Sequence, residues 1–133
     1  MRLLIDTNIF LEVLLEQDRA QETRRMLSKT DRHEFFISDF SLHSIGLLLF
    51  RRHQQEVFRI FMSDMFRKAG VVTLALSPGE LEAVIQAAQQ FNLDFDDAYQ
   101  YVVAEKRGLQ VVSFDSDFGR TERGRRTPDQ VDP

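Results

Sequence analysis

The stretch Leu3-Leu4-Ile5-Asp6-Thr7-Asn8 decides the fold. Three consecutive apolar residues read as a short strand buried on both faces. An acid stands where that strand must end. Two small polar residues follow, and Ile9-Phe10-Leu11 opens a new apolar run. The order is strand, carboxylate, helix start. In an open α/β sheet the carboxyl ends of the strands form the edge where ligands bind. Asp6 therefore has two readings at this point: a cap for the following helix, or the first member of a site.

The same pattern recurs outward from that stretch. Short apolar strands are expected at 35–37, 71–76 and 110–114, and helical periodicity over 9–16, 17–29, 40–50, 55–69 and 98–107. In the 55–69 helix, Val57, Ile60, Phe61, Met65 and Phe66 are expected to face the core. The clearest helix start is Ser77-Pro78-Gly79-Glu80. It is a capping box with Pro at the first helical position, opening a helix that runs to about residue 90. Strands alternate with helices, and each strand is short and continuously apolar. This predicts an α/β protein, a three-layer α/β/α sandwich with a mostly parallel central sheet. Residues 1–118 read as one domain. Residues 119–133 read as a charged tail, either a short edge strand or a flexible terminus.

Bulk properties narrow the function classes. At 133 residues, 43% hydrophobic and with 12 Phe, the chain suits a single packed domain and not a disordered one. It has no Cys, which excludes disulfides, thiolate metal sites and a cysteine nucleophile. That absence suits a cytoplasmic location. Three His leave little room for a zinc site, whereas 21 acids offer oxygen ligands to a hard cation. The net charge of -4 means that any nucleic-acid contact must come from a local basic surface. The chain opens directly on a strand, so no signal peptide is expected. The longest strongly apolar run, 45–50, is too short to cross a bilayer, so no membrane partner is expected.

The informative feature is where the acids fall. Asp6 follows the first strand, and Asp115 and Asp117 follow the fourth. Asp94, Asp96 and Asp97 precede the helix that leads into the fourth strand. In a parallel sheet all three groups belong to the carboxyl edge. Carboxylates gathered in a dry cleft raise one another's pKa, and a divalent cation removes that cost. Two or three Asp with waters satisfy Mg2+, and a bound cation activates water and neutralises phosphoryl charge. Each acid also has a structural reading: caps for Asp6 and Asp94, a favourable N-terminal charge for Asp97, turns for Asp115 and Asp117.

Leu-Ile-Asp-Thr-Asn-Ile-Phe at 4–10, Asp-Asp-Ala-Tyr-Gln-Tyr at 96–101 and Val-Val-Ser-Phe-Asp-Ser-Asp-Phe at 111–118 are similar to motifs of the PIN domain. Its best-known small members are the toxin ribonucleases of VapBC-type toxin–antitoxin modules. The resemblance implies Mg2+- or Mn2+-dependent cleavage of RNA, a homodimer and a protein antitoxin. Carried over by position, Asp6, Asp97 and Asp115 match the catalytic metal-binding acids, and Asp117 matches a further supporting acid. One position departs. The family usually has a Glu six residues beyond the Ser that ends the second strand. Ser38 matches that Ser, and the sixth position on is Ser44. Its hydroxyl can hold a metal-bound water but supplies no charge, which implies weaker metal affinity or a single metal. Asp39 and His43 are the nearby residues that could substitute.

Arg120, Arg123, Arg125 and Arg126 follow Asp117. Arg120 and Arg123 are the candidates to bring phosphate toward the acidic cleft. With no Trp and two Tyr, no strong base-stacking platform is evident. The leading expectation is a metal-dependent endoribonuclease, as the toxin of a toxin–antitoxin module. The alternative is a catalytically weakened PIN-like module that binds RNA or protein without cleavage, which Ser44 favours. A receiver domain needs a phosphoacceptor Asp after the third strand, where Ser77-Pro78 stands. A haloacid-dehalogenase-like phosphatase needs a second Asp where Asn8 stands.

Overall fold

The computed structural model describes residues 1–132; Pro133, the last residue of the expected tail, lies outside them. Four strands form one parallel sheet in the order β3-β2-β1-β4: β1 (Arg2–Ile5), β2 (Glu34–Ser38), β3 (Val72–Leu74) and β4 (Gln110–Val112). Leu3, Leu4 and Ile5 are fully buried, because β1 is central and has a helical layer over each face. Leu3 pairs with Phe35 and Leu4 with Phe36 on one side, and Leu4 pairs with Val111 and Ile5 with Val112 on the other.

Alternation along the strands splits the core in two. Leu4, Phe36, Leu74 and Val111 face α5 (Leu81–Phe91) and α6 (Phe95–Arg107), where Val84, Ala98 and Val102 meet them. Leu3, Ile5, Phe35, Ile37 and Val112 face the other layer. That layer is α1 (Thr7–Leu14), α2 (Ala20–Leu27), α3 (Asp39–Arg51) and α4 (Gln55–Met62), which supply Ile9, Phe10, Met26, Ile45, Leu49 and Phe61. The predicted three-layer sandwich is therefore the fold. Truncating a side chain such as Ile5 to Ala should cost roughly 2–5 kcal/mol.

Three details differ from expectation. β3 is an edge strand, and of its three residues only Leu74 is buried, with Val72 48% exposed. Its continuous apolar run does not signal burial on both faces, because strand order decides that. In the helix after α3, Ile60 is 58% exposed. The buried stripe runs through Val57, Phe58, Phe61 and Met62, and the helix passes into a π-helical turn at Ser63–Lys68. The helix expected from residue 98 begins at Phe95, with Asp94 as its cap. The capping box at Ser77 and Glu80 is present, first through a 3-10 turn and then α5.

The segment after β4 begins with a 3-10 turn at Ser116–Arg120. The chain then returns to β4, where Arg126 N–H donates to the Val111 carbonyl (2.9 Å) and Ser113 N–H donates to the Arg126 carbonyl (3.0 Å). A last helix, α7 (Pro128–Val131), packs against α2. Among the described residues no helix is long and apolar enough to cross a membrane.

Sheet order places the site. From β1 the chain steps to β2 on one side, and it later returns to β4 on the other. The crevice between β1 and β4 is the topological switch point, where open parallel sheets bind ligands. Asp6 N–H donates to the Val112 carbonyl at 2.9 Å, so the acid after β1 and the segment after β4 leave the sheet side by side.

Candidate metal centre

Asp6 realises both of its readings. Its backbone is extended and its Oδ1 accepts from Thr7 N–H at 2.8 Å, capping α1. Oδ1 also accepts from Gln100 Nε2 at 2.9 Å, and Oδ2 accepts from the Ser113 hydroxyl at 2.6 Å. The residue is 7% exposed. Burial raises its pKa. The Ser113, Gln100 and Thr7 donors oppose that shift, and the charge of Asp115 adds to it.

Those donors belong to a buried polar layer beneath the acids. Gln100 Nε2 also donates to Ser41 Oγ at 2.7 Å, and Thr7 Oγ1 donates to the same oxygen at 2.8 Å. Ser113 Oγ accepts from Asp115 N–H at 2.9 Å and from Asn8 Nδ2 at 3.3 Å. Sequence reasoning missed Gln100, Ser41 and Ser113. One signal was available for Gln100: it stands one helical turn from Asp97, on a face where the following inward residues are apolar.

Asp97 sits in the first turn of α6, its N–H bonded to Asp94 Oδ1 at 3.1 Å. It is 6% exposed, and its Oδ2 is buried with no hydrogen-bond partner. Its carboxyl is pushed up to about 8, first by burial, then by a shared hydrogen bond with Asp115 and that residue's charge, and then by Asp94 and Asp6. Asp115 caps the 3-10 turn, its Oδ1 accepting from Asp117 N–H at 2.8 Å. Asp117 forms an ion pair with Arg120. Oxygens of Asp97, Asp115 and Asp117 all lie within 4.8 Å of one another. A buried carboxylate oxygen without a partner, facing two more acids, fits a hard divalent cation. The donor set is all oxygen, and the cation would offset the burial cost and the repulsion that together raise the Asp97 pKa.

Beside this cluster lies a cavity of about 260 Å³, lined by Asp6, Asp97 and Asp115, by Asp94 and Asp96, by Gln100 and Ser44, and by the apolar Leu11 and Phe40. Asp6 borders the cavity but stands outside the tight group of three. Ser44 occupies the wall that α3 contributes, one turn beyond Ser41. Among the described residues lining the cavity, neither Asp39 nor His43 appears. Ser38 caps α3. Asp39 Oδ1 accepts from the Phe40 N–H at 2.8 Å and from the Tyr99 hydroxyl at 2.7 Å. His43 lines a separate apolar groove with Leu47, Phe50 and Phe58. Neither Asp39 nor His43 takes the place of the missing Glu beside Ser44.

The two candidate arginines part company. Arg120 is at the cluster, tied to Asp117 and to the Asn92 carbonyl. Arg123 donates to the Leu109 carbonyl at 2.9 Å, at the amino end of β4 and so at the opposite edge of the sheet.

A family model described as PIN domain matches residues 3–124. No curated protein matches the chain. Among solved structures, a toxin–antitoxin complex from Klebsiella pneumoniae superposes with a TM-score of 0.72 at 22% identity, covering 94% of this chain and 96% of that one. VapC20 of Mycobacterium tuberculosis, described as a sarcin-ricin loop cleaving toxin, gives 0.71 at 19%, covering 88% and 92%. VapBC2 of Rickettsia felis, bound to a DNA fragment from its promoter, gives 0.75 at 13%, covering 94% and 96%.

Proposed function

The chain belongs to the PIN domain family, and on that premise we propose that it is a divalent-metal-dependent endoribonuclease, the toxin of a toxin–antitoxin pair. The observation that carries the reading is the buried, unpartnered Oδ2 of Asp97 beside Asp115 and Asp117. Mg2+ or Mn2+ held by these three acids supplies polarisation of a phosphoryl oxygen and a lowered pKa for water.

The chain's own residues do the rest. Asp97, Asp115 and Asp117 would hold the cation, with Asp97 in its deprotonated form. Asp6, held by Thr7, Gln100 and Ser113, keeps a fixed carboxylate at the cavity wall. Leu11 and Phe40 give that wall an apolar side that limits water. Arg120 holds Asp117 in place. Toxin–antitoxin complexes among the similar structures support a protein antitoxin as partner. Exposed Leu47, Phe50 and Ile60 offer apolar surface to that antitoxin or to a second copy in a homodimer. A cytoplasmic setting with an RNA substrate completes the reading.

The test is cleavage of a mixed RNA substrate with Mg2+ or Mn2+ by the native chain and by Asp6→Asn and Asp97→Asn. Cleavage by the native chain alone is expected. Activity that survives both substitutions sinks the site assignment. Ser44 on the cavity wall favours a second reading, a weakened module that binds RNA or protein without cutting. RNA binding with no cleavage by the native chain would select it.

A further inference from the structure

Phe95 is out of place for a core residue. Its side chain is 53% exposed, yet it stands between Asp94 and Asp96, both of which line the acidic cavity. The ring is held. It meets Phe40 edge to face, with centroids 6.2 Å apart at 65°, and lies tilted against Tyr99 at 5.9 Å. Phe40 itself lines the cavity. Tyr99 is buried, and its hydroxyl is fixed between Asp39 Oδ1 (2.7 Å) and the Leu76 N–H (3.0 Å). Two anchored rings therefore present a third to solvent at the rim of the site.

We propose that Phe95 is the stacking platform for an unpaired nucleobase next to the scissile phosphate, an inference that rests on the ribonuclease reading. A phosphodiester seated in the cavity brings a base to its rim. A base needs only a π-face to stack on, and stacking is indifferent to base identity. The carboxylates that flank Phe95 repel phosphate, so the contact this position offers RNA is a neutral one. A preorganised ring loses little entropy on binding.

The test uses the full chain in the Asp97→Asn background, so that cleavage does not consume the probe. Binding of a short single-stranded RNA is measured for Phe95, Phe95→Ala, Phe95→Leu and Phe95→Trp. Ala and Leu are expected to weaken binding about tenfold, the loss typical of one base–aromatic stack, and Trp to retain it. An abasic series along the RNA should show a penalty at one position in the parent that vanishes in Phe95→Ala, the signature of a direct pair. Equal affinity of the parent and Phe95→Ala overturns the platform. So does retention of affinity by Leu, or a parent that binds no RNA. A Phe95→Ala protein whose sedimentation changes while its RNA affinity does not would assign the ring to a protein contact, which also overturns it. Binding and cleavage are read separately, so an inactive native chain counts against the ribonuclease reading and leaves this result interpretable.

Discussion

Gln100 Nε2 donates to Asp6 Oδ1 at 2.9 Å and to Ser41 Oγ at 2.7 Å. One buried amide thus fastens α6 to the end of β1 and to α3, one turn beneath Asp97. Gln100→Leu removes both donors and leaves Ser41 with only Thr7 as a partner. A loss of roughly 1–3 kcal/mol in stability is expected from the unmet polar groups, with weaker Mn2+ binding as Asp6 loses its orientation. Gln100→Glu should do more harm, since it sets a second carboxylate against Asp6. Urea denaturation and Mn2+ titration check both, and a Gln100→Leu protein of native stability and native Mn2+ affinity would show the bridge to be idle.

Asp97 sets the pH response of the metal-free chain. Its folded value of about 8 lies above its ordinary 3.8, so within that window the folded state binds a proton that the unfolded state has released. The stabilisation is complete below pH about 4 and is lost as pH rises through about 8. Asp6, also raised, adds in the same direction. A cation held by Asp97 would have to displace its proton, so metal affinity should climb with pH up to about 8 and then level off. Urea midpoints in chelator are expected to fall from mildly acidic pH toward pH about 8, and Asp97→Asn should flatten that slope. A chelated native chain that is as stable at pH about 8 as at pH about 5 would contradict the raised Asp97.

Ser44 lines the cavity opposite Asp97 and Asp115 without a charge. Ser44→Glu should tighten Mn2+ binding by about tenfold, about 1.4 kcal/mol, because one more carboxylate faces the cation. In chelator the same substitution should lower stability, since it adds like charge to the cluster. Ser44→Ala should change neither by much. An Mn2+ titration identical for Ser44→Glu and the native chain would remove Ser44 from the cation's surroundings.

These expectations also mark what was readable from sequence. The strands and most helices were, because a central strand such as Leu3-Leu4-Ile5 announces its burial in composition alone. That Asp97, Asp115 and Asp117 would lie together, with Asp6 on the same edge, was readable because strand ends and helix starts in a parallel sheet share that edge. Gln100 offered only its place one turn from Asp97 on an inward face; its partners, 94 and 59 positions away, are encoded in no local pattern. Val72 was misread because an edge strand and a central strand can share a composition, and only pairing order tells them apart. Phe95 was invisible for a similar reason, since the count of Trp and Tyr says nothing about where a Phe stands.

The segment after residue 118 tests the extent of the domain. It returns to β4 through Arg126, whose N–H and carbonyl bond to Val111 and Ser113. Ser113 also holds Asp6 at 2.6 Å, so this pairing steadies a donor to the site. Val131 packs against the core layer of α1 to α4, and Arg120 braces Asp117. If residues 1–118 were self-sufficient, a chain ending there would keep its stability and bind metal normally. Removal instead leaves the Ser113 N–H without a partner and the Val111 carbonyl with only the Gln110 side-chain amide at 3.2 Å, and uncovers apolar surface. We expect a loss of at least about 2 kcal/mol, from one unmet backbone donor at roughly 1–3 kcal/mol plus the lost burial. Arg126→Ala keeps the backbone bonds and should be nearly neutral. Arg126→Pro removes the N–H donor to Val111 and should approach the truncation in urea midpoint. A truncated chain that unfolds at the native midpoint and binds Mn2+ normally would place the domain boundary at 118.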